Sequence, residues 1–133
     1  MRLETDLEVI DDVDHASLSR ALSALDVDTN TRAILSSGDE IYIQAAYFSN
    51  GFVIEKREGN EESHFHAIPS HPPLPNLRQR TKLSWWKRIF YPTHFLTSEY
   101  AFKKDEMIHI FATYLDGRES ELNLKWSPGY CDR

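Results

Sequence analysis

The sequence predicts an α+β domain: a mostly antiparallel sheet, a meander of about four to five strands, with two main helices packed against one face. Three observations predict it. Apolar residues recur at helical spacing in one segment near each end of the chain. Between those segments run stretches of period-two alternation separated by turn residues, and nowhere does strand–helix–strand repeat as parallel sheets require. The length of 133 residues suits one domain, with a core large enough to need no staples.

Taken in order, residues 2–9, "RLETDLEV", offer at most a weak edge strand. In "DDVDHASLSRALSALD", Leu18, Leu22 and Leu25 recur at i, i+4 and i+7 with Ala21 beside them, which predicts an amphipathic helix. Asp14 is its expected N-cap, and Asp11 and Asp12 sit near the positive end of its dipole. "TRAILSS" and "GDEIYIQAAYF" read as strands joined by a Gly38-Asp39 turn, with Ile41, Ile43 and Ala45 on one face and Tyr42, Gln44 and Ala46 on the other. "SNG" at 49–51 signals a hairpin, because Asn-Gly readily takes the positive φ angles of a type I′ turn. "FVIEKRE" follows as a strand, "GNEES" as a turn, and "HFHAI" as the next strand.

From Pro69 to about residue 98 the periodicity is lost. The stretch holds five of the six prolines and "LSWWKRIFYPTHF", so it predicts an irregular insert with one short helical turn around "SWWKRIF". "LTSEYAF" is a short strand candidate. "KKDEMIHIFATYLDG" predicts the second helix: Met107, Ile108, Phe111, Tyr114 and Leu115 form its apolar stripe, Asp105 and Glu106 favour its first turn, and Gly117 stops it. "ESELNLKW" alternates Leu122, Leu124 and Trp126 as a closing strand.

Composition narrows the function classes. Net charge is −6, which argues against direct nucleic-acid binding. The charge is uneven: residues 1–40 hold ten acids and three bases, residues 69–104 seven bases and one acid. The acidic part would steer a basic protein partner. The single cysteine, Cys131, has no partner for an intramolecular disulfide, and the start of the chain is acidic where a signal peptide is basic and apolar. No apolar run reaches the length of a membrane span. A soluble cytoplasmic protein is expected, with no membrane and no cofactor involved.

His64, His66 and His71 lie within eight positions. His64 and His66 share one side of a strand, and such a pair can chelate a metal, but zinc needs a third fixed ligand. Gly59 is one residue too close for a cupin-type pattern, and no acid follows in "AIPSHPP". The bland reading, histidines on the solvent side of a strand and in the loop after it, is the one preferred. The chain also lacks a G-x-S-x-G elbow, a phosphate-binding glycine loop and a Cys-x-x-Cys pair. Strand phase puts Glu55 and Glu58 on opposite faces. No catalytic residue is assigned, and the chain is expected not to be an enzyme. The aromatic insert, with Trp85 and Trp86 adjacent, has three readings: a plug over an open sheet face, a partner-binding patch, or a membrane-surface segment.

Several short runs resemble those of small bacterial immunity proteins encoded beside polymorphic or contact-dependent growth inhibition toxins. They are Tyr42-Ile43-Gln44-Ala45-Ala46, Gly51-Phe52-Val53-Ile54-Glu55, His64-Phe65-His66-Ala67, Phe111-x-x-Tyr114-Leu115-x-Gly117 and the closing Trp126. The resemblance covers about residues 7–68 and 105–126 and leaves the insert unmatched. It implies an α+β protein that binds and neutralises one cognate toxin without catalysis of its own. Nucleases and deaminases are frequent among such toxins, and an acidic protein suits a basic, nucleic-acid-directed one. The residues expected to meet that partner are Asp11, Asp12, Asp14, Asp39, Glu40, Glu61, Glu62, Trp85 and Trp86. The alternatives are a small metal-dependent enzyme using His64 and His66, and an adaptor docking through its aromatic insert.

Overall fold

A computed structural model of the chain describes residues 1–48, 50–60, 62–75 and 99–129. The order of elements is β1 (Arg2–Thr5), β2 (Val9–Ile10), α1 (His15–Ser23), β3 (Arg32–Gly38), β4 (Ile41–Phe48), β5 (Gly51–Glu58), β6 (His64–Ile68), α2 (Lys104–Leu115), a 3₁₀ turn (Glu119–Glu121) and β7 (Lys125–Pro128). All seven strands join one antiparallel sheet in the order β2-β1-β3-β4-β5-β6-β7. The α+β class and the two helices agree with the expectation, while the sheet is larger than the predicted four to five strands.

The excess comes from short strands that pattern alone underrates. Thr5 folds the chain back on itself: its Oγ1 accepts from the amides of Leu7 and Glu8 at 3.3 and 3.2 Å, and its own amide donates to the Glu8 carbonyl at 2.9 Å. That turn creates the two-residue β2. β1 therefore lies inside the sheet and not at its edge, with Leu3 wholly buried. At the other edge the closing strand starts later than expected: residues 119–121 wind into the 3₁₀ turn, and pairing begins at Lys125 opposite Ile68.

One sheet face alternates Leu3, Ala33, Leu35, Ile43, Ala45, Ile54 and Ala67, all inaccessible to solvent. Against it pack Leu18, Ala21 and Leu22 of α1 and Met107, Ile110, Phe111 and Tyr114 of α2. Each fully buried large side chain contributes roughly 1.5–3 kcal/mol. Ile110 belongs to this stripe although the pattern omitted it, whereas Ile108 and Leu115 are only partly covered.

The helices are antiparallel and clasped at both ends. At the start of α1, His15 Nε2 meets Asp116 at the end of α2 at 2.6 Å. At its other end, Lys104 donates to the carbonyls of Ser23 and Leu25 at 3.1 and 2.7 Å, so a cation from α2 caps the negative end of α1. Asp14 caps α1 as expected, accepting from the Ser17 amide at 2.8 Å in a capping box. Glu106 accepts from the Lys103 amide at 2.9 Å to close the first turn of α2. Gly117 ends α2 at φ +70°, where its amide reaches the Tyr114 carbonyl and that of Arg118 reaches Thr113, a Schellman pair.

The β4–β5 hairpin corrects the reading of "SNG". Gly51 already belongs to β5, paired with Phe48, and the positive-φ residues among the described ones are Asp12, Gly59, Gly117 and Gly129. Gly51 is there for proximity: a Cβ on it would stand 2.5 Å from the Phe102 carbonyl oxygen. Phe102 pairs both its amide and its carbonyl with Phe52, at 2.7 and 2.8 Å, and this bridge brings the chain onto β5 just before α2 begins. Ser49, the "SWWKRIF" turn, residues 96–98 of the strand candidate and Cys131 lie outside the described residues, and no strand is formed at 99–102 beyond that one bridge.

Candidate functional site

The fold gathers most of the sequence-predicted acids at one end of the sheet. The β3–β4 turn carries Asp39 and Glu40, and the β5–β6 turn carries Glu62. The two turns touch, because the Gly59 amide donates to the Glu40 carbonyl at 2.7 Å. Asp11 and Asp12 follow β2 at the same end, where Arg2 lies across from Ser36 and 3.8 Å from Asp11. Asp14 and the His15–Asp116 clasp bring the helix termini to this end as well. Glu61, Trp85 and Trp86 lie outside the described residues.

What distinguishes this end is pairing. Toward the opposite end three acids have cations or turn amides: Asp6 binds Arg32 at 3.1 Å, Glu8 binds Arg20 at 2.8 Å, and Asp26 accepts the amides of Asp28, Thr29 and Asn30 at 2.7, 2.7 and 3.1 Å. Those three amides hold the Asp26 carboxyl at about 2. By contrast Asp12, Asp39 and Glu62 are exposed and have no ion partner among the described residues. Ile41, 47 % exposed, stands next to Glu40 and opposite Glu58. Asp14 is committed to its cap: the Ser17 hydroxyl and then the Ser17 amide hold its carboxyl below the usual range. Glu40 is half-spent on Arg57 at 2.7 Å.

A buried cation stands beside this end that the sequence reading did not single out. Lys56 points from β5 toward the helix side of the sheet, where its ammonium lies 4.3 Å from the Trp126 ring and 5.6 Å from that of Phe65. It bridges Glu58 at 2.6 Å and Glu119 of the 3₁₀ turn. The alternation of β5 placed Lys56 in phase with Ile54, and that phase was the available signal. Nearby, burial and then the negative charges of Glu119 and Glu58 push the Tyr114 hydroxyl up to about 12.

The histidines sit otherwise than expected. His66 is buried on the second face of the sheet instead of facing solvent: its Nδ1 donates to the Gly129 carbonyl at 2.9 Å and its ring lies edge-on to Tyr100, centroids 4.9 Å apart. His64 Nε2 accepts from the Arg57 guanidinium, so a cation occupies the lone pair that a metal on that nitrogen would need. His71 is drawn away altogether, its Nε2 on Glu106 at 3.0 Å and its Nδ1 donating to Pro72 O at 2.8 Å. Among the described residues no three histidine, cysteine or acidic side chains assemble a metal-binding group. The row Gln44, Glu55, His66 and Ser127 runs across β4–β7 on that second face, with Glu55 2 % exposed and bonded by Gln44 at 3.3 Å.

One groove lies beside α2. Phe102, Glu106, His109 and Ile110 form one wall, and 121–124 the other, around a cavity of about 220 Å³. His109, which lies off the apolar stripe of α2, is exposed. No helix among the described residues is long and apolar enough to cross a membrane. Comparison with protein-family models, curated proteins and solved structures finds no match to the chain.

Proposed function

We propose that this chain is an immunity protein, which binds a cognate bacterial toxin and neutralises it by occluding the toxin's active site or substrate-binding face. The observation that carries the reading is the end of the sheet where Asp12, Asp39 and Glu62 stand exposed with no ion partner among the described residues. Fixed turns and a helix clasp hold Asp39, Glu62, Asp11 and Asp12 outward. That is the arrangement by which a protein raises its association rate with a basic surface. Ile41 supplies an apolar contact within the acidic rim. A nucleic-acid-directed toxin, a nuclease or deaminase, presents such a basic surface around its substrate site. The toxin is expected from the adjacent gene, and the chain acts in the cytoplasm by binding alone, with no catalytic step.

The test is co-purification of the chain with the product of the adjacent gene, alongside survival of cells expressing that product. A complex whose affinity falls with salt, and falls about tenfold when Asp39 and Glu62 are both replaced by lysine, supports the reading. Absence of a complex together with absence of protection refutes it.

A further inference from the structure

The two edges of the sheet are finished differently. β7 carries Lys125 and Pro128, a charge and a ring of the kind that discourage a further strand from pairing. β2, at the other edge, has neither: residues 3–19 hold no lysine, arginine or proline. The Thr5 amide donates to the Glu8 carbonyl at 2.9 Å, and Glu4 stands opposite Val9 and Leu3 opposite Ile10. Antiparallel pairing alternates, so Glu8 and Ile10 turn their backbone groups to β1, while Val9 turns its amide and carbonyl outward. The side chains divide in the same way. Glu8 reaches Arg20 of α1 and Ile10 packs on the core, which puts Val9 beside Glu4 on the face away from the helices. Four large apolar side chains are exposed among the described residues, and Leu7 (66 %) and Val9 (49 %) are two of them. Acids surround the pair. Glu4 and Asp12 are exposed with no ion partner among the described residues, and Asp11 is exposed 3.8 Å from Arg2.

From this we infer that β2 is a docking edge, to which an extended, basic segment of the toxin adds as a further strand, an inference that rests on the proposed binding function. The Val9 amide and carbonyl supply main-chain hydrogen bonds, Leu7 and Val9 give apolar contact, and Glu4, Asp11 and Asp12 meet lysines or arginines of the incoming strand. β2 is two residues long, so the edge fixes register and orientation while the acids supply most of the attraction. Asp11 and Asp12 follow β2 directly, and the edge thus runs into the acidic end toward which a basic partner is steered. The same acids argue against a second copy of this chain as the occupant. Pairing β2 with β2 would set Glu4, Asp11 and Asp12 against their own like, and like charges across a strand pair destabilise it.

The probe is the peptide acetyl-Lys-Val-Lys-Val-Lys-Val-Lys-amide, with glutamate for every lysine in its acidic counterpart, titrated into the full chain and followed by ¹H–¹⁵N correlation spectra. The basic peptide is expected to shift the amides of Leu7, Val9 and Ile10, and the acidic one to bind about fivefold more weakly. Val9→Pro removes the outward amide and leaves the β1–β2 hydrogen bonds in place; it is expected to weaken the basic peptide and the toxin complex about tenfold each. Val9→Ile, which keeps the amide and the apolar contact, is expected to bind both as the unaltered chain does. Hydrogen exchange needs no variant: the Val9 amide of the unaltered chain is expected to slow about tenfold or more in the toxin complex. Equal binding of the two peptides, shifts that miss residues 7–11, a folded Val9→Pro chain that binds undiminished, or self-association of the free chain that Val9→Pro abolishes overturns the inference. The peptides need no toxin. Loss of the toxin complex with peptide discrimination intact therefore removes the proposed function alone, and a stable complex in which Val9 exchanges unchanged removes the docking edge alone.

Discussion

Replacing Gly51 by alanine tests how the Phe102 bridge holds the groove and α2 against the sheet. The new Cβ would stand 2.5 Å from the Phe102 carbonyl oxygen, 3.2 Å from Leu74 Cδ1 and 3.3 Å from Ala101 Cβ. Relief to 3.0 Å requires a retreat of about 0.5 Å (3.0 less 2.5) by backbone, not by a flexible side chain. That backbone is tied to Phe52 by two hydrogen bonds of 2.7 and 2.8 Å. Overpacking of this kind costs about 1–3 kcal/mol, and weakening a backbone hydrogen bond about 1 kcal/mol more. The lower backbone entropy of alanine in the unfolded chain returns about 0.4–1 kcal/mol. The net expectation is about 2–3 kcal/mol of destabilisation, a fall in Tm of roughly 6–12 °C for a chain this size. Urea unfolding with a matched Gly38→Ala control measures it. Gly38 has nothing within 4 Å of its would-be Cβ and no positive φ, so that change is expected to be neutral or slightly stabilising. If Gly51→Ala proves as mild as Gly38→Ala, the close approach does not hold the bridge and the reasoning fails.

Three further outcomes are expected. Lys56→Met keeps the stem between Trp126 and Phe65 but leaves Glu58 and Glu119 without their cation; because Glu58 is about half exposed, the loss should be about 1–2 kcal/mol in urea unfolding and not the larger cost of a fully buried orphan, and a change below about 0.5 kcal/mol would show the bridge idle. The Asp26 carboxyl titrates at about 2 when folded, below its unfolded value of about 3.9, so its contribution is present above that value and disappears as pH falls toward about 2; Asp26→Asn should flatten the acid limb of a Tm-against-pH curve, with Asp6 and Asp14, also lowered, supplying the remaining slope. Tyr114 is raised to about 12, so its contribution is intact below an unfolded value of about 10 and is lost as pH climbs through about 12; absorbance at 295 nm should show a late-titrating tyrosine that Tyr114→Phe deletes, and an unchanged alkaline limb would contradict the burial argument.

How far the sequence could be read depended on how local the signal was. Period-two alternation located β3 to β6 closely, and "HFHAI" is β6 residue for residue. The α1 face, the Asp14 cap and the Gly117 stop were legible because caps and stripes are set by neighbours within one or two turns. β1 and β2 were not: four and two residues are too few for a pattern, and their place in the sheet rests on Thr5 turning the chain and on Leu3 finding Leu35 across the strand. The acids were visible singly, yet nothing local shows that Asp39, Glu62 and Asp11 share an end, or that Asp6 and Glu8 have arginines while Asp39 and Glu62 have no ion partner among the described residues. His66 looked outward because alternation gives a side chain's face and says nothing of what covers that face.

By itself, then, the sequence determined the class of the fold, the two helices with their ends and the alternation of the central strands, since these follow from periodicity and capping within a few residues. Only the tertiary structure decided that Gly51 serves Phe102, that Lys56 lies among Trp126, Glu58 and Glu119, and that a carboxylate-walled groove runs beside α2. Each of those depends on contacts between residues far apart in the chain, whose meeting is set by strand register and helix packing together.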